Sequence, residues 1–371
     1  GGVEMLAVTA TNDSELDDAG LAPMTNGQTY HISVRVKDQL ANWSHTANPW
    51  YVGSFVFDNA APTVPANIHA ATGSAGVSDA WHTPTIRPLI QWDASTDAGA
   101  GLPASAAYTI TITNITDGGA IVSGVACDTN EYPLTQDLIE GKEYKVEITA
   151  KDALGNESVA GSRTLYYDTM PPADPGAPTV GTDFSGTRWT NDLTPQIDWA
   201  ASTDTPPGEM HQTEPYTLKI GATLGAVDIL GETFVTSNTY TPSSDLSLTT
   251  GDTYYVNVKA KDAANIENSS GYIPGTFKFD NTPPTIAGTP TLKAGSPAVT
   301  RLDVVYTNSA TPDLDWEDGN DGVGVQLPTT GAYEVKVGST SGGVEMLVAT
   351  ATNDSELDNA GLAAMTNGQT Y

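Results

Sequence analysis

Apolar and polar residues alternate along a series of short segments. Tyr144, Val146, Ile148 and Ala150 alternate with polar neighbours, as do Tyr254, Val256, Val258 and Ala260, and Tyr30, Ile32, Val34 and Val36. A period of two with one apolar face predicts a half-buried antiparallel strand. The segments 108–113, 216–220 and 333–337 alternate likewise. Clusters of Gly, Pro, Asn and Asp separate these runs every 8–15 residues, and no stripe of period 3.6 interrupts them. Many short strands with turn chemistry between them predict an all-β chain of sandwiches.

The same pattern recurs on two scales. Residues 1–30 and 342–371, aligned without gaps at an offset of 341, differ at four positions: Ala7/Val348, Val8/Ala349, Asp18/Asn359 and Pro23/Ala364. The chain therefore begins and ends at one point of a near-identical super-repeat. Within it lies a looser period. Trp92, Trp199 and Trp316 close the segments PLIQW, PQIDW and PDLDW. Tyr108, Tyr216 and Tyr333 follow, each leading a strand. Then come Tyr144, Tyr254 and Tyr30, each three residues after a Gly, in GKEYKVEITAKD, GDTYYVNVKAKD and GQTYHISVRVKD. LYYDTMPPADP, FKFDNTPPT and FVFDNAAPTVP close the series. Three modules of about 114 residues fill the 341, the size of one two-sheet sandwich. The expected order is half a module (1–63), two whole ones (64–173 and 174–285) and the complementary half (286–371).

A Trp ending an early strand, a Pro/Gly/Asp-rich loop, a Tyr-led strand and then G-x-x-Y-x-V-x-V-x-A-x-D resembles fibronectin type III modules. It resembles most those strung in tandem, like bacterial immunoglobulin-like repeats, in large microbial surface proteins with D-x-x-P-P linkers. The resemblance covers the whole chain. It implies tandem seven-stranded antiparallel β-sandwiches, beads on a string, with a split module at the two ends. It says little about function, since this fold hosts many roles.

Composition narrows the partners. The chain has 371 residues, with 15 basic against 45 acidic, a formal net charge of −30. Phosphate binding needs clustered Lys and Arg, so nucleic acid and anionic membrane surfaces are disfavoured. Apolar residues at 39% suffice for packed cores. The single cysteine, Cys127, forms no internal disulfide. No stretch approaches the length of a membrane span, and neither an initiator Met nor a signal peptide is present, so the chain reads as a piece of something longer.

Trp92, Trp199 and Trp316 are expected on inner sheet faces, in preference to an aromatic platform for sugars. Tyr30, Tyr144 and Tyr254 match the tyrosine corner, a folding device. Trp43, Trp50, Trp81 and Trp189, with Tyr306 in the equivalent place of the third module, are read as edge packing. The linkers 282–285, 170–172 and 61–65 are proline-rich and should act as semi-rigid spacers, extending one super-repeat to on the order of 100–120 Å.

The acidic positions are the candidates for chemistry. Each module carries an Asp eight residues after its corner Tyr, another ahead of its Pro-rich linker, and a third acidic group after its core Trp. Sandwich topology returns those loops to one pole, next to the preceding linker. It gathers Asp58 with Asp97 (and Asp93 nearby) and Asp152; Asp168 with Asp204 and Asp262; and Asp280 with Asp318 and Asp321. Two readings stand open: an interdomain Ca2+ at each set, relieving repulsion in a strongly acidic chain, or Asp residues that cap their own turns. The run 318–322 is the most calcium-like of these.

Enzymatic signals are missing. His31, His45, His69, His82 and His211 are scattered without zinc spacing, and no nucleophile elbow or phosphate loop occurs. Sequons at Asn12, Asn42, Asn114, Asn156, Asn268 and Asn353 would be exposed in a glycosylated protein. The expected function is therefore structural and non-catalytic: an extracellular stalk or filament on a microbial surface, its partners being further copies of the super-repeat, joined covalently or head to tail, with lateral association among strings. The alternative is a ligand- or glycan-binding adhesin region, or an accessory module of a secreted polysaccharide enzyme, for which the loop 204–214 is the place to look.

Overall fold

The computed structural model describes residues 23–44, 51–293, 298–301, 304–307, 309, 312–338, 340–341, 347–352 and 355–357. Most of the duplicated ends, with Asn12, His45, Trp50 and Asn353, lies outside them. The chain divides into two compact units. The first is Gly1–Asp174 with Ser202–Pro215 and Ala260–Gly271; the second is Pro175–Ala201, Tyr216–Lys259 and Tyr272–Tyr371. The unit boundary thus departs from the module boundary read in the sequence, because two loops of the second module belong with the first unit.

In the first unit β1 (Thr29–Val34) and β2 (Tyr51–Val56) form an antiparallel hairpin. There follow β3 (His69–Ala70), β4 (Ser74–Ala75), β5 (Trp81–Thr83), β6 (Leu89–Gln91) and β7 (Tyr108–Asn114). Then come β8 (Ala120–Cys127), β9 (Glu131–Pro133), β10 (Glu143–Ala150) and β11 (Gly161–Tyr167). One sheet has the order β3-β6-β9 and the other β4-β5-β11-β10-β7-β8. Between them lies a core in which Ile110, Ile112, Ile148 and Ala150 are fully inaccessible. The alternation seen in the sequence is the alternation of burial along β7 and β10, whose inward positions are all buried.

The second unit repeats the plan. Its strands are β12 (Thr179–Val180), β13 (Thr182–Phe184), β14 (Thr187–Thr190), β15 (Ile197–Asp198), β16 (Tyr216–Gly221), β17 (Leu230–Val235), β18 (Thr239–Tyr240), β19 (Thr253–Ala260) and β20 (Ile273–Phe279). The sheets run β12-β15-β18 and β13-β14-β20-β19-β16-β17. Beyond them β21 (Thr291–Leu292), β24 (Leu314–Asp315) and β27 (Glu356–Leu357) form a three-stranded sheet. β22 (Ala298–Arg301) pairs with β23 (Val304–Thr307), and β25 (Tyr333–Val337) with β26 (Leu347–Thr352). In order these match the first seven strands of a module, and β1 and β2 match the last two.

The all-β sandwich is as the sequence implies, and the seven expected strands are present and antiparallel. Each complete sandwich adds a hairpin that period-two patterning had not separated, β4–β5 and β13–β14. Its second strand pairs in parallel with the last strand of the module, Trp81 opposite Leu165 and Trp189 opposite Lys278. The chain reaches this position by leaving the small sheet after its first strand and returning to it for the next. The edge aromatics sit on this addition. The Trp81 indole N–H donates to the Thr72 carbonyl at 2.9 Å, and the Arg163 guanidinium lies 5.1 Å from its ring. Lys278 Nζ covers Trp189 at 5.2 Å.

The aromatic anchors hold the core. Trp92, Trp199 and Trp316 are 2%, 4% and 8% exposed. Each meets the Tyr that leads the following long strand edge-on: Trp92–Tyr108 and Trp199–Tyr216 at 5.4 Å, Trp316–Tyr333 at 5.7 Å. The corner tyrosines each accept a backbone N–H five residues back: Tyr30 from Thr25 at 2.7 Å, Tyr144 from Ile139 at 2.9 Å and Tyr254 from Thr249 at 2.7 Å. Among the described residues no helix is long and apolar enough to cross a membrane. In urea titrations of the whole chain followed by circular dichroism, Trp92→Ala should destabilise the first unit by about 3–5 kcal/mol. Tyr144→Phe, which strips one acceptor from the Ile139 N–H, should cost about 1 kcal/mol. The opposite order would make the corner bond, not the buried indole, the main support.

Candidate metal centres

Topology brings two of the three acidic sets together. Asp58, Asp97 and Asp152 each offer a carboxylate oxygen within 4.8 Å of the other two, and so do Asp168, Asp204 and Asp262. Both sets lie inside the first unit. In each, one Asp follows or precedes a terminal strand, one lies five residues after a core Trp, and one heads the turn after a corner-tyrosine strand. The third set is only half made. Asp280 lies beside Asp321, but Asp318, two residues after Trp316, is exposed and does not join them. The position that matches Asp97 and Asp204 is Asp321, which makes the 318–322 run less calcium-like than its sequence implied.

The first set is satisfied by the chain around it. Asp58 accepts the N–H groups of Ala60 at 3.1 Å and Ala100 at 2.6 Å. Asp97 Oδ2 accepts those of Gly99 at 3.0 Å and Gly101 at 2.8 Å. Asp152 Oδ1 accepts from Leu154 and Asn156, both at 2.8 Å, and its Oδ2 takes the Asn156 side-chain amide at 2.7 Å. Burial opposes ionisation of Asp152, yet these donors together hold its carboxyl below the ordinary value. Any side chain at position 99 would collide with the Asp58 carboxylate, so only glycine allows the loop this close. Asp93, the further candidate here, instead takes the Asn67 amide at 2.5 Å.

The second set is built from the same positions and lacks the same donors. Oδ1 of Asp168 accepts from Met170 at 3.0 Å, Oδ1 of Asp204 from Thr205 at 2.8 Å, and Oδ1 of Asp262 from Ile266 at 2.8 Å. The Oδ2 atoms of all three are buried without a partner. The cause is legible at one position. Asn156 follows Asp152 by four residues and Asn42 follows Asp38 by four, and each gives its amide to that Asp. Four residues after Asp262 stands Ile266, which has none to give.

Sequence reasoning missed one member of this site. His82, on β5, is fully buried with both ring nitrogens unpartnered. Its Nδ1 lies 3.9 Å from Asp168 Oδ2 and its Nε2 3.8 Å from Glu209 Oε2. A lone histidine without metal spacing gave no signal; the clue available was the loss of the amide at Ile266. The loop 204–214, the place named for the glycan reading, is bonded on both sides. His211 bridges to Gly76 and Met210 to Asp262, while the Glu209 carboxylate accepts the Ser78 N–H at 2.9 Å. This loop is a seam within the unit. Two sequons are corrected as well, since Asn114 and Asn268 are 7% and 3% exposed and cap the chain beside them.

No protein-family model matches the chain. It is 28% identical over 334 residues to exoglucanase B of Cellulomonas fimi, covering 87% of this chain and 26% of that protein. It is 29% identical over 234 residues to chitinase A1 of Niallia circulans, covering 62% of this chain and 28% of that one. The chain thus spans about a quarter of the length of these curated relatives. Among solved structures it is similar to the chicken CNTN1 FN1–FN3 domains, with a TM-score of 0.32 and 13% identity over 70% of this chain and 80% of that one. It is also similar to a two-domain fibronectin type III segment of chicken tenascin, with a TM-score of 0.21 and 14% identity over 58% and 99%.

Electrostatics separate the two complete sets. Burial, then the charges of Asp168 and Asp204, push Asp262 up to about 7; burial, then Asp204 and Glu140, push Asp168 up to about 6. Asp204 is raised for the same reasons, and burial lowers His82, with Glu209 acting against it. A carboxyl raised in the folded state binds protons there that the unfolded chain has released, so its contribution to stability is lost as pH rises from about 4 to about 7. The lowered histidines act in the opposite sense below about 6.5, so the Asp262 share is read against Asp262→Asn. In EDTA, the two proteins should melt together below about pH 4. By pH 7.5 the variant should be the more stable by roughly 5 °C. Parallel melting curves across that range would remove the raised carboxyl.

Proposed function

We propose that this chain is a structural segment of a larger extracellular microbial protein, in which tandem sandwich modules act as an extended spacer. What supports the reading most is the threefold recurrence of one set of anchors inside a 341-residue super-repeat whose ends are near-identical. A spacer can be copied whole, since each module fills its own core and needs only its neighbours. The seven strands of 286–371 and the two of 1–63 then make one module when successive super-repeats join. A cavity lined by Ile68, Trp81, Ile90 and Val146 has room for about 10 Å3, a single water, far below the hundreds of Å3 of a small-molecule site. The chain is read as non-catalytic.

A second reading is favoured by the relatives. Their names are those of enzymes acting on glucan and chitin, and this chain matches about a quarter of each. On that reading the modules are a glycan-binding accessory region that holds a polysaccharide-degrading enzyme to its substrate.

Force extension of a polymer of the super-repeat separates a spacer from a compact particle. Successive peaks spaced by about 35–40 nm of contour length are expected, one for each ~110-residue module. A single cooperative rupture would refute the modular spacer. Retention of the isolated chain on insoluble cellulose or chitin would favour the accessory reading; passage through both columns is the outcome expected of a plain spacer.

A further inference from the structure

We propose that Asp168, Asp204 and Asp262 bind one hard divalent cation of the calcium class, and that the corresponding Asp58, Asp97 and Asp152 bind none. Three carboxylate oxygens within 4.8 Å of one another can share an ion whose bonds to oxygen are about 2.3–2.6 Å. Each carboxylate takes a backbone N–H on its Oδ1, while its Oδ2 accepts none. Those spare oxygens are buried and unpartnered, on residues only 3% exposed at Asp168 and 0% at Asp262. A buried carboxylate oxygen without a donor is a costly group that native proteins seldom leave so. Three carboxylates within reach of one ion, each with a spare buried oxygen, make a demand that a cation meets.

The surroundings offer no internal substitute. Among the described residues no Lys or Arg pairs with any of the three, and the one basic side chain at hand is His82, 3.9 Å from Asp168 Oδ2. Buried and itself unpartnered, His82 is held neutral, so it leaves the acidic charge in place. Glu209, on its other face, adds to that charge. An all-carboxylate donor set suits a hard ion over the softer transition metals, with carbonyl groups and water to complete its coordination. The first set makes the contrast, since there the chain's own N–H groups and the Asn156 amide reach both oxygens of Asp58 and of Asp152 and the Oδ2 of Asp97. The two sets share topology and differ in donors, and Ile266 in place of the amide is the clearest difference. The bound ion would tie the 202–215 and 260–271 loops to the Asp168 end of β11, all within the first unit.

The competing arrangement is three carboxyls kept together by shared protons. Melting and calorimetric titration of the full chain at pH 7.5, after EDTA treatment and exchange into Ca2+ or Mg2+ alone, decide between them. With 5 mM Ca2+ the first-unit transition should rise by on the order of 5–10 °C. Asp262→Asn and Asp204→Asn should abolish the rise while remaining folded without the ion, and Asp204, the less buried, guards against a folding failure at 262. Asp152→Asn should leave the rise intact. No rise and no binding heat with Ca2+ or Mg2+ would overturn the site and leave proton sharing. A response lost in Asp152→Asn but kept in Asp262→Asn would place the ion in the wrong set and overturn the assignment equally.

Discussion

The contact on which each sandwich depends is the edge-on meeting of a Trp from the small sheet with the Tyr that opens the first long strand of the large one. It closes the core at one pole and sets the loop between them. Tyr108 accepts the Ser95 N–H at 2.9 Å and Tyr333 the Gly319 N–H at 2.8 Å, so the same ring that packs the indole also pins the loop. The Asp five residues after each Trp rides on that pinned loop. Its carboxylate is thereby aimed at the pole, where the Asp ahead of the linker and the Asp after the corner strand also arrive. Core packing, and not any property of the acids themselves, is what assembles the acidic sets.

Once assembled, the sets are told apart by hydrogen-bond donors. Around Asp58, Asp97 and Asp152 the turns supply enough N–H groups for the charges to be held in a folded chain with little access to water. Around Asp168, Asp204 and Asp262 the Oδ2 atoms are left without donors, and burial raises all three carboxyls. A chain with a net charge of −30 cannot gather carboxylates without some such answer. The clearest difference between the two sets is one amide, which Asn156 gives to Asp152 and which Ile266 lacks at the matching place.

The same loops bear on the larger role. In a spacer, what matters is that a module remains folded and that its connections are stiff. The inserted 204–214 loop pairs with the Gly76 edge and with Asp262, using main-chain bonds that leave it little freedom as a ligand-binding arm.

The sequence by itself determined the fold class, the buried faces of β7, β10, β16 and β19, the core indoles and the corner tyrosines. These follow from period-two alternation and fixed local spacing, which a reader can count. In β1 the same alternation leaves Ile32 and Val34 exposed. Offsets from Trp and corner Tyr recur in each module and single out the aspartates of the two gathered sets; in the third, where Asp318 and Asp321 were both named, Asp321 is the one beside Asp280. Tertiary structure alone decided the rest. The β4–β5 hairpin and its parallel seat beside β11 involve strands of two and three residues, too short to leave a pattern. His82 became part of a site only because that strand delivers it to Asp168. Whether a carboxylate is spare or satisfied depends on N–H groups brought from distant turns, and no local spacing records where those donors point.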